Sequence, residues 1–107
     1  MRKILIIGLI GLVLISGCKD IQIDLSEEEI NQLAEDSTIY VSTGCINCEK
    51  QKKLMGEYKE IFNIVDCRIT PVVCVEKGIT EVPTWEINGK LFLGVYSLEE
   101  AKELGGK

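Results

Sequence analysis

The chain has 107 residues, room for one domain, with 46% hydrophobic and 27% charged residues; that balance excludes a disordered chain, a collagen-like repeat and a multi-span membrane protein. Twelve Lys plus Arg against seventeen Asp plus Glu give a net charge of -5, which argues against nucleic acid as a partner, since such binding is driven by phosphate neutralisation. There is no histidine, so Ser/His/Asp and Cys/His catalysis, His-containing zinc sites and a histidine pH switch are excluded, leaving the five cysteines at positions 18, 45, 48, 67 and 74 as the candidates for chemistry.

Arg2 and Lys3 precede an uncharged run to Cys18, whose apolar part, Ile4 to Ile15, is twelve residues. A membrane span needs about 20. A basic start, a short apolar stretch and the small residues Ser16-Gly17 fit a signal peptide instead. Ile15-Ser16-Gly17-Cys18 resembles a lipobox, the processing site of prokaryotic lipoproteins, where Cys18 is lipidated and becomes the first mature residue. The alternatives are an uncleaved signal anchor and an incidental cysteine in a membrane-embedded helix. All three place the rest of the chain at the outer face of the cytoplasmic membrane, where disulfides persist. The expected plan is a signal peptide over 1–17, a tether and short helix over 18–37 and a folded domain over 38–107. Without Arg2 and Lys3 the remainder has ten basic and seventeen acidic side chains, a net charge of -7.

Ser26 with Glu29 forms a capping box ahead of Ile30, Leu33 and Ala34, which predicts a helix over 27–35. Thr38 to Ser42 is β-branched and aromatic and stops at Gly44, a strand. From Cys45 to about Tyr58 good helix formers surround Cys48, Leu54 and Met55, with Lys50, Lys52 and Lys53 on the wet side. Residues 61–67 read as a second strand, and Pro71 opens a short helix that Gly78 stops. Pro83 to Ile87 and Lys90 to Val95 are strands joined by Asn88-Gly89, a type I′ hairpin signal. Trp85 and Phe92 read as core residues. Ser97 to Glu100 starts a last helix, ended by Gly105-Gly106. From Thr38 the order is β-α-β-α-β-β-α, an α/β domain with a four-stranded mixed sheet flanked by helices, which is the order of the thioredoxin fold.

Cys45-Ile46-Asn47-Cys48 lies where the first strand hands over to a helix, and there the sulfurs can reach each other across one turn. The unpaired N–H groups of a helix N-terminus favour a thiolate at Cys45, the expected nucleophile. Cys48, one turn inside, is the resolving thiol that attacks the mixed disulfide. A static disulfide or half of a metal site are the bland readings of the same motif. Val82-Pro83-Thr84 is the second piece. Proline costs a strand a ladder bond, and in this fold a cis proline facing the Cys-x-x-Cys leaves backbone free to pair with an extended peptide. An edge-strand or turn proline is the alternative.

Residues 38 to 106 resemble the thioredoxin-like domain fused to bacterial homologues of vitamin K epoxide reductase. The resemblance rests on Thr43-Gly44-Cys45, Cys48-Glu49-Lys50-Gln51-Lys52, Val65-Asp66-Cys67, Cys74 with Glu76-Lys77-Gly78-Ile79, Pro83-Thr84-Trp85, Ile87-Asn88-Gly89 and Gly94-Val95-Tyr96-Ser97-Leu98-Glu99. It implies a disulfide carrier outside the cytoplasm, and the chain is expected to work as a monomer without a cofactor. Cys45 and Cys48 would form its active pair, exported thiol and disulfide proteins its substrates, and an integral-membrane quinone-linked oxidase its reoxidant. Where that family often carries Pro-His between the cysteines, this chain has Ile46-Asn47.

Cys67 ends the second strand and Cys74 falls seven residues later in the short helix. Bonded, they would close a loop worth roughly 2 to 3 kcal/mol by chain entropy; the alternative is a relay pair serving Cys45 and Cys48. Two further readings come from other classes. One is a four-thiolate metal site of Cys45, Cys48, Cys67 and Cys74, although six residues between the second pair is wrong for a zinc knuckle. The other is a redox-inactive binding module that keeps the fold.

Overall fold

The computed structural model describes residues 25–105. The signal segment, the lipobox with Cys18 and most of the tether lie outside the described residues. Among the described residues no helix is long and apolar enough to cross a membrane.

Helix α1 (Glu27–Asp36) starts as its sequence dictates: Ser26 Oγ accepts the N–H of Glu29 while the Glu29 carboxylate accepts the N–H of Ser26. It buries Ile30, Leu33 and Ala34 and runs directly into β1 (Ser37–Val41). Helix α2 (Ile46–Met55) follows, then a 3-10 segment (Gly56–Ile61), β2 (Asn63–Asp66), α3 (Pro71–Lys77), β3 (Thr84–Ile87), β4 (Lys90–Leu93) and α4 (Leu98–Leu104). The strand order is β2-β1-β3-β4. β1 pairs parallel with β2 and antiparallel with β3, and β3 pairs antiparallel with β4. A parallel neighbour needs a crossover, and α2 supplies it; the antiparallel β3–β4 pair needs only the Asn88-Gly89 turn.

Strand alternation sorts the sheet into two faces. Ile39, Val41, Trp85 and Ile87 point into one core with Ile30, Leu33, Cys48, Met55, Leu98 and Ala101 from α1, α2 and α4. Phe62 meets the Trp85 ring edge-on, with centroids 5.7 Å apart, and Phe92 packs half-buried at the margin. Tyr40, Thr84 and Glu86 point to the other face, where Lys77 of α3 reaches Glu86. The domain is therefore an α/β sandwich with β1 in the interior of its sheet.

Several boundaries differ from those expected. The helix expected over 45–58 ends at Met55 because Gly56 turns the chain at φ 61, a conformation that glycine adopts without steric cost; the 3-10 segment then takes Ile61, and β2 begins only at Asn63. β4 stops at Leu93 rather than Val95, since beyond Gly94 the backbone of Tyr96 bonds to Gln51 instead of to a strand. Leu54, expected inward, is 47% exposed. The buried stripe of α2 is Cys48, Gln51 and Met55.

Candidate active site

After Val41 three residues carry the chain from β1 to α2. Gly44 sits at φ 88, and the N–H of Cys45 donates to Ser42 O at 3.1 Å, closing the turn. Cys45 is thereby the N-cap of α2, and its Sγ accepts the N–H of Cys48 at 3.1 Å. A helix N-terminus gathers donors that no backbone carbonyl satisfies, so it favours an anion at the capping atom. Cys45 is half-buried and therefore reachable. Cys48, fully buried, has its thiol pushed up to about 12, by burial first and then by its hydrogen bond with Cys45. The two thiols are free and unequal: one is open at a donor-rich end, the other enclosed and protonated.

The peptide between Val82 and Pro83 is cis, and the Val82 carbonyl oxygen lies 4.0 Å from Cys45 Sγ. Of the three residues expected to bind peptide, Val82 thus stands against Cys45. Pro83 is buried and its carbonyl accepts the N–H of Gly94. Thr84 is buried too, with its hydroxyl donating to Glu81 O at 2.6 Å. The Thr84 hydroxyl proton is thus spent within the chain, and the group of this bend that meets Cys45 Sγ is the Val82 carbonyl.

Two supports depend on partners distant in the sequence. Gln51, one turn behind Cys48, is fully buried. Its Oε1 accepts from Trp85 Nε1 at 2.9 Å and from Tyr96 N at 2.8 Å, and its Nε2 donates to Tyr96 O at 2.8 Å. It was findable as the residue three positions after Cys48 on the inward stripe. On the other side of the loop, the Asp66 carboxylate accepts both the N–H and the hydroxyl of Thr43, at 3.3 and 2.5 Å. The neighbouring cysteine, Cys67, continues the β1–β2 ladder by donating to Val41 O at 2.8 Å.

Cys67 and Cys74 are joined in a disulfide with Cα atoms 5.7 Å apart. That bond removes the four-thiolate metal site, since it consumes two of the four ligands. Among the described residues no three Cys, Asp or Glu side chains gather around a common point fit for a metal ion.

No family model matches the chain. Among solved structures, a domain of the alkylhydroperoxide reductase AhpF from Enterococcus faecalis superposes with a TM-score of 0.53 and 22% identity, covering 78% of this chain and 45% of that one. The present chain thus spans less than half the length of that solved domain. A thioredoxin from Halobacterium salinarum superposes with a TM-score of 0.52 and 14% identity over 74% of this chain and 81% of its own. At these identities the likeness is one of fold. The domain has the thioredoxin fold, and its Cys-x-x-Cys stands at the strand-to-helix junction of that fold.

Proposed function

We propose that the protein is an extracytoplasmic thiol–disulfide oxidoreductase working through Cys45 and Cys48. The observation that carries this reading is the inequality of the pair: Cys45 Sγ is accessible and accepts a helix N-terminal N–H, while Cys48 is fully buried and protonated within one turn of it. Exchange needs one sulfur that meets a substrate and a second that waits.

In the reducing direction the Cys45 thiolate attacks one sulfur of a substrate disulfide and expels the other as a thiolate, forming a mixed disulfide. Cys48 then attacks Cys45 Sγ. Its proton passes to the departing thiol, the Cys45–Cys48 bond forms, and the substrate leaves with two electrons gained. The oxidising direction is the reverse. Val82, at 4.0 Å from the nucleophile, borders the place an approaching peptide occupies, and extended peptides bind such sites by backbone pairing. No cofactor enters this chemistry.

The setting completes the reading. The lipobox-like Ile15-Ser16-Gly17-Cys18 supports an anchor at the outer face of the cytoplasmic membrane, by lipid on Cys18 or by the uncleaved signal. The substrates would be exported thiol and disulfide proteins, and the redox partner an integral-membrane, quinone-linked oxidase of the vitamin K epoxide reductase type. The protein would act as a monomer, with Cys67–Cys74 structural rather than a relay. Reduction of insulin by dithiothreitol tests the core of this: the wild-type protein is expected to accelerate it and Cys45→Ser to do nothing. A wild-type protein without effect on insulin, and without exchange with oxidised glutathione, would return the domain to the class of binding modules.

A further inference from the structure

We propose that Asp66 is a positioning residue for the nucleophile, acting through Thr43 to hold Cys45 Sγ on the end of α2; this rests on the exchange function proposed above. Thr43 stands two residues before Cys45, and all its polar groups are held by one corner of the chain. Its N–H donates to Asp66 Oδ1 at 3.3 Å and its hydroxyl to Oδ2 at 2.5 Å, while its carbonyl accepts from Arg68 Nη1 at 3.5 Å.

The corner is itself fixed. Asp66 lies opposite Val41 in the parallel ladder. Its carboxylate also accepts the N–H of Arg68 at 2.9 Å, and its carbonyl accepts the N–H groups of Ile69 and Thr70 at 3.0 and 2.9 Å. The Thr43 hydroxyl, and after it the Arg68 N–H, hold the Asp66 carboxyl below the usual carboxylate range, so the acceptor is ionised at neutral pH and its bonds are charge-assisted.

Between this clamp and Cys45 stands only Gly44, which is at φ 88 and has nothing within 4 Å of where a Cβ would lie. Cys45 is tied back across this turn by its N–H to Ser42 O at 3.1 Å, so the clamp on Thr43 fixes the middle of the turn whose far end places Sγ 3.1 Å from Cys48 N. A freed Thr43 lets Sγ spend less time on the cap, within reach of the N-terminal N–H groups of α2.

The sign of the effect separates positioning from charge. A carboxylate near a thiolate repels it, so neutralising Asp66 by itself would speed reaction at Cys45. Loss of the clamp slows it. The test is the rate at which iodoacetamide modifies Cys45 in the folded full-length protein at neutral pH, followed by mass spectrometry of the Cys45 peptide, with folding checked by circular dichroism. Asp66→Asn, which keeps one acceptor of two, and Thr43→Val, which keeps the carboxylate but removes the hydroxyl, should each slow modification by about fivefold, the factor one lost hydrogen bond produces. Thr43→Ser should restore it. An unchanged or faster rate in Asp66→Asn, or slowing that Thr43→Val does not share, overturns the clamp. A wild-type Cys45 no more reactive than Cys48 overturns the exchange reading, and the clamp with it, before any clamp variant is made.

Discussion

Helices α2 and α3 both follow the end of a parallel strand and both carry cysteine, yet they are held in opposite ways. α2 buries Cys48, Gln51 and Met55 and needs no covalent help. α3 buries one residue, Cys74, and leaves Val72, Val73 and Val75 at 65%, 40% and 76% exposure. Side-chain packing holds the first. The second is stapled by Cys67–Cys74 and tied at its far end by Lys77 to Glu86. The difference explains which sulfurs are free. A helix anchored by its own packing can leave its cysteines as thiols for chemistry, whereas one with so little buried surface uses its cysteine to stay in place.

The sharpest way to break this comparison is to remove single sulfurs. Cys45→Ser should abolish exchange, and Cys48→Ser should accumulate mixed disulfides between Cys45 and its substrates, visible as bands on non-reducing gels that dithiothreitol dissolves. The asymmetry follows from exposure, since only Cys45 can be met by a large substrate. Equal trapping by the two variants would falsify the division of labour.

The next effects are on stability. Gln51→Leu keeps volume in α2 but strands Trp85 Nε1 and both backbone groups of Tyr96, and leaving several buried groups unpaired should cost about 3 kcal/mol in urea unfolding. Cys67→Ala with Cys74→Ala should cost roughly 2 to 3 kcal/mol by the loop-closure estimate while the Cys45–Cys48 pair still exchanges. Retained stability in the double variant would mean that α3 is held by something other than its staple. Lost exchange at retained stability would favour the relay.

Most of the fold was legible because each element carried its own signal. The Ser26 capping box, the helix start at Ser97 to Glu100, the β-branched run into β1 and the Asn88-Gly89 turn are local chemistry, and all four stand in the structure. The errors came where a partner far along the chain decides. Hydropathy alone favours Leu54 over Gln51 inside; the bonds to Trp85 and Tyr96 that bring the amide in depend on the β3 and post-β4 positions. Thr43 and Asp66 stand in separate stretches, and the parallel β1–β2 register that brings those stretches together is not written in either. Gly56 is a local stop signal set within a run of good helix formers.

The smallest effect concerns the far end of α3, and its sign is fixed. Glu86 keeps 16% of its side chain exposed and bonds Lys77 Nζ at 3.0 Å and the Tyr40 hydroxyl at 2.8 Å. Burial pushes its carboxyl up, but the bonds from Lys77 and Tyr40 outweigh that and hold it below the ordinary value of 4.5. A carboxyl lowered by folding adds stability above its unfolded value and loses it as the pH falls through the folded one. Tyr40 is the mirror case: burial first, then Glu86, pushes it from 10.0 up to about 12. Its share is complete below 10.0 and is lost as the pH rises toward 12. With Lys77 about half exposed, the pair is worth under about 1 kcal/mol. Urea midpoints should therefore separate wild type from Glu86→Gln near neutrality and converge as the pH drops below 4.5. Tyr40→Phe should instead blunt the loss of stability on the alkaline side. A gap between wild type and Glu86→Gln that stays constant across the acid range would show that the Lys77 contact does not help hold α3 to the sheet, leaving the disulfide as its one specific tie.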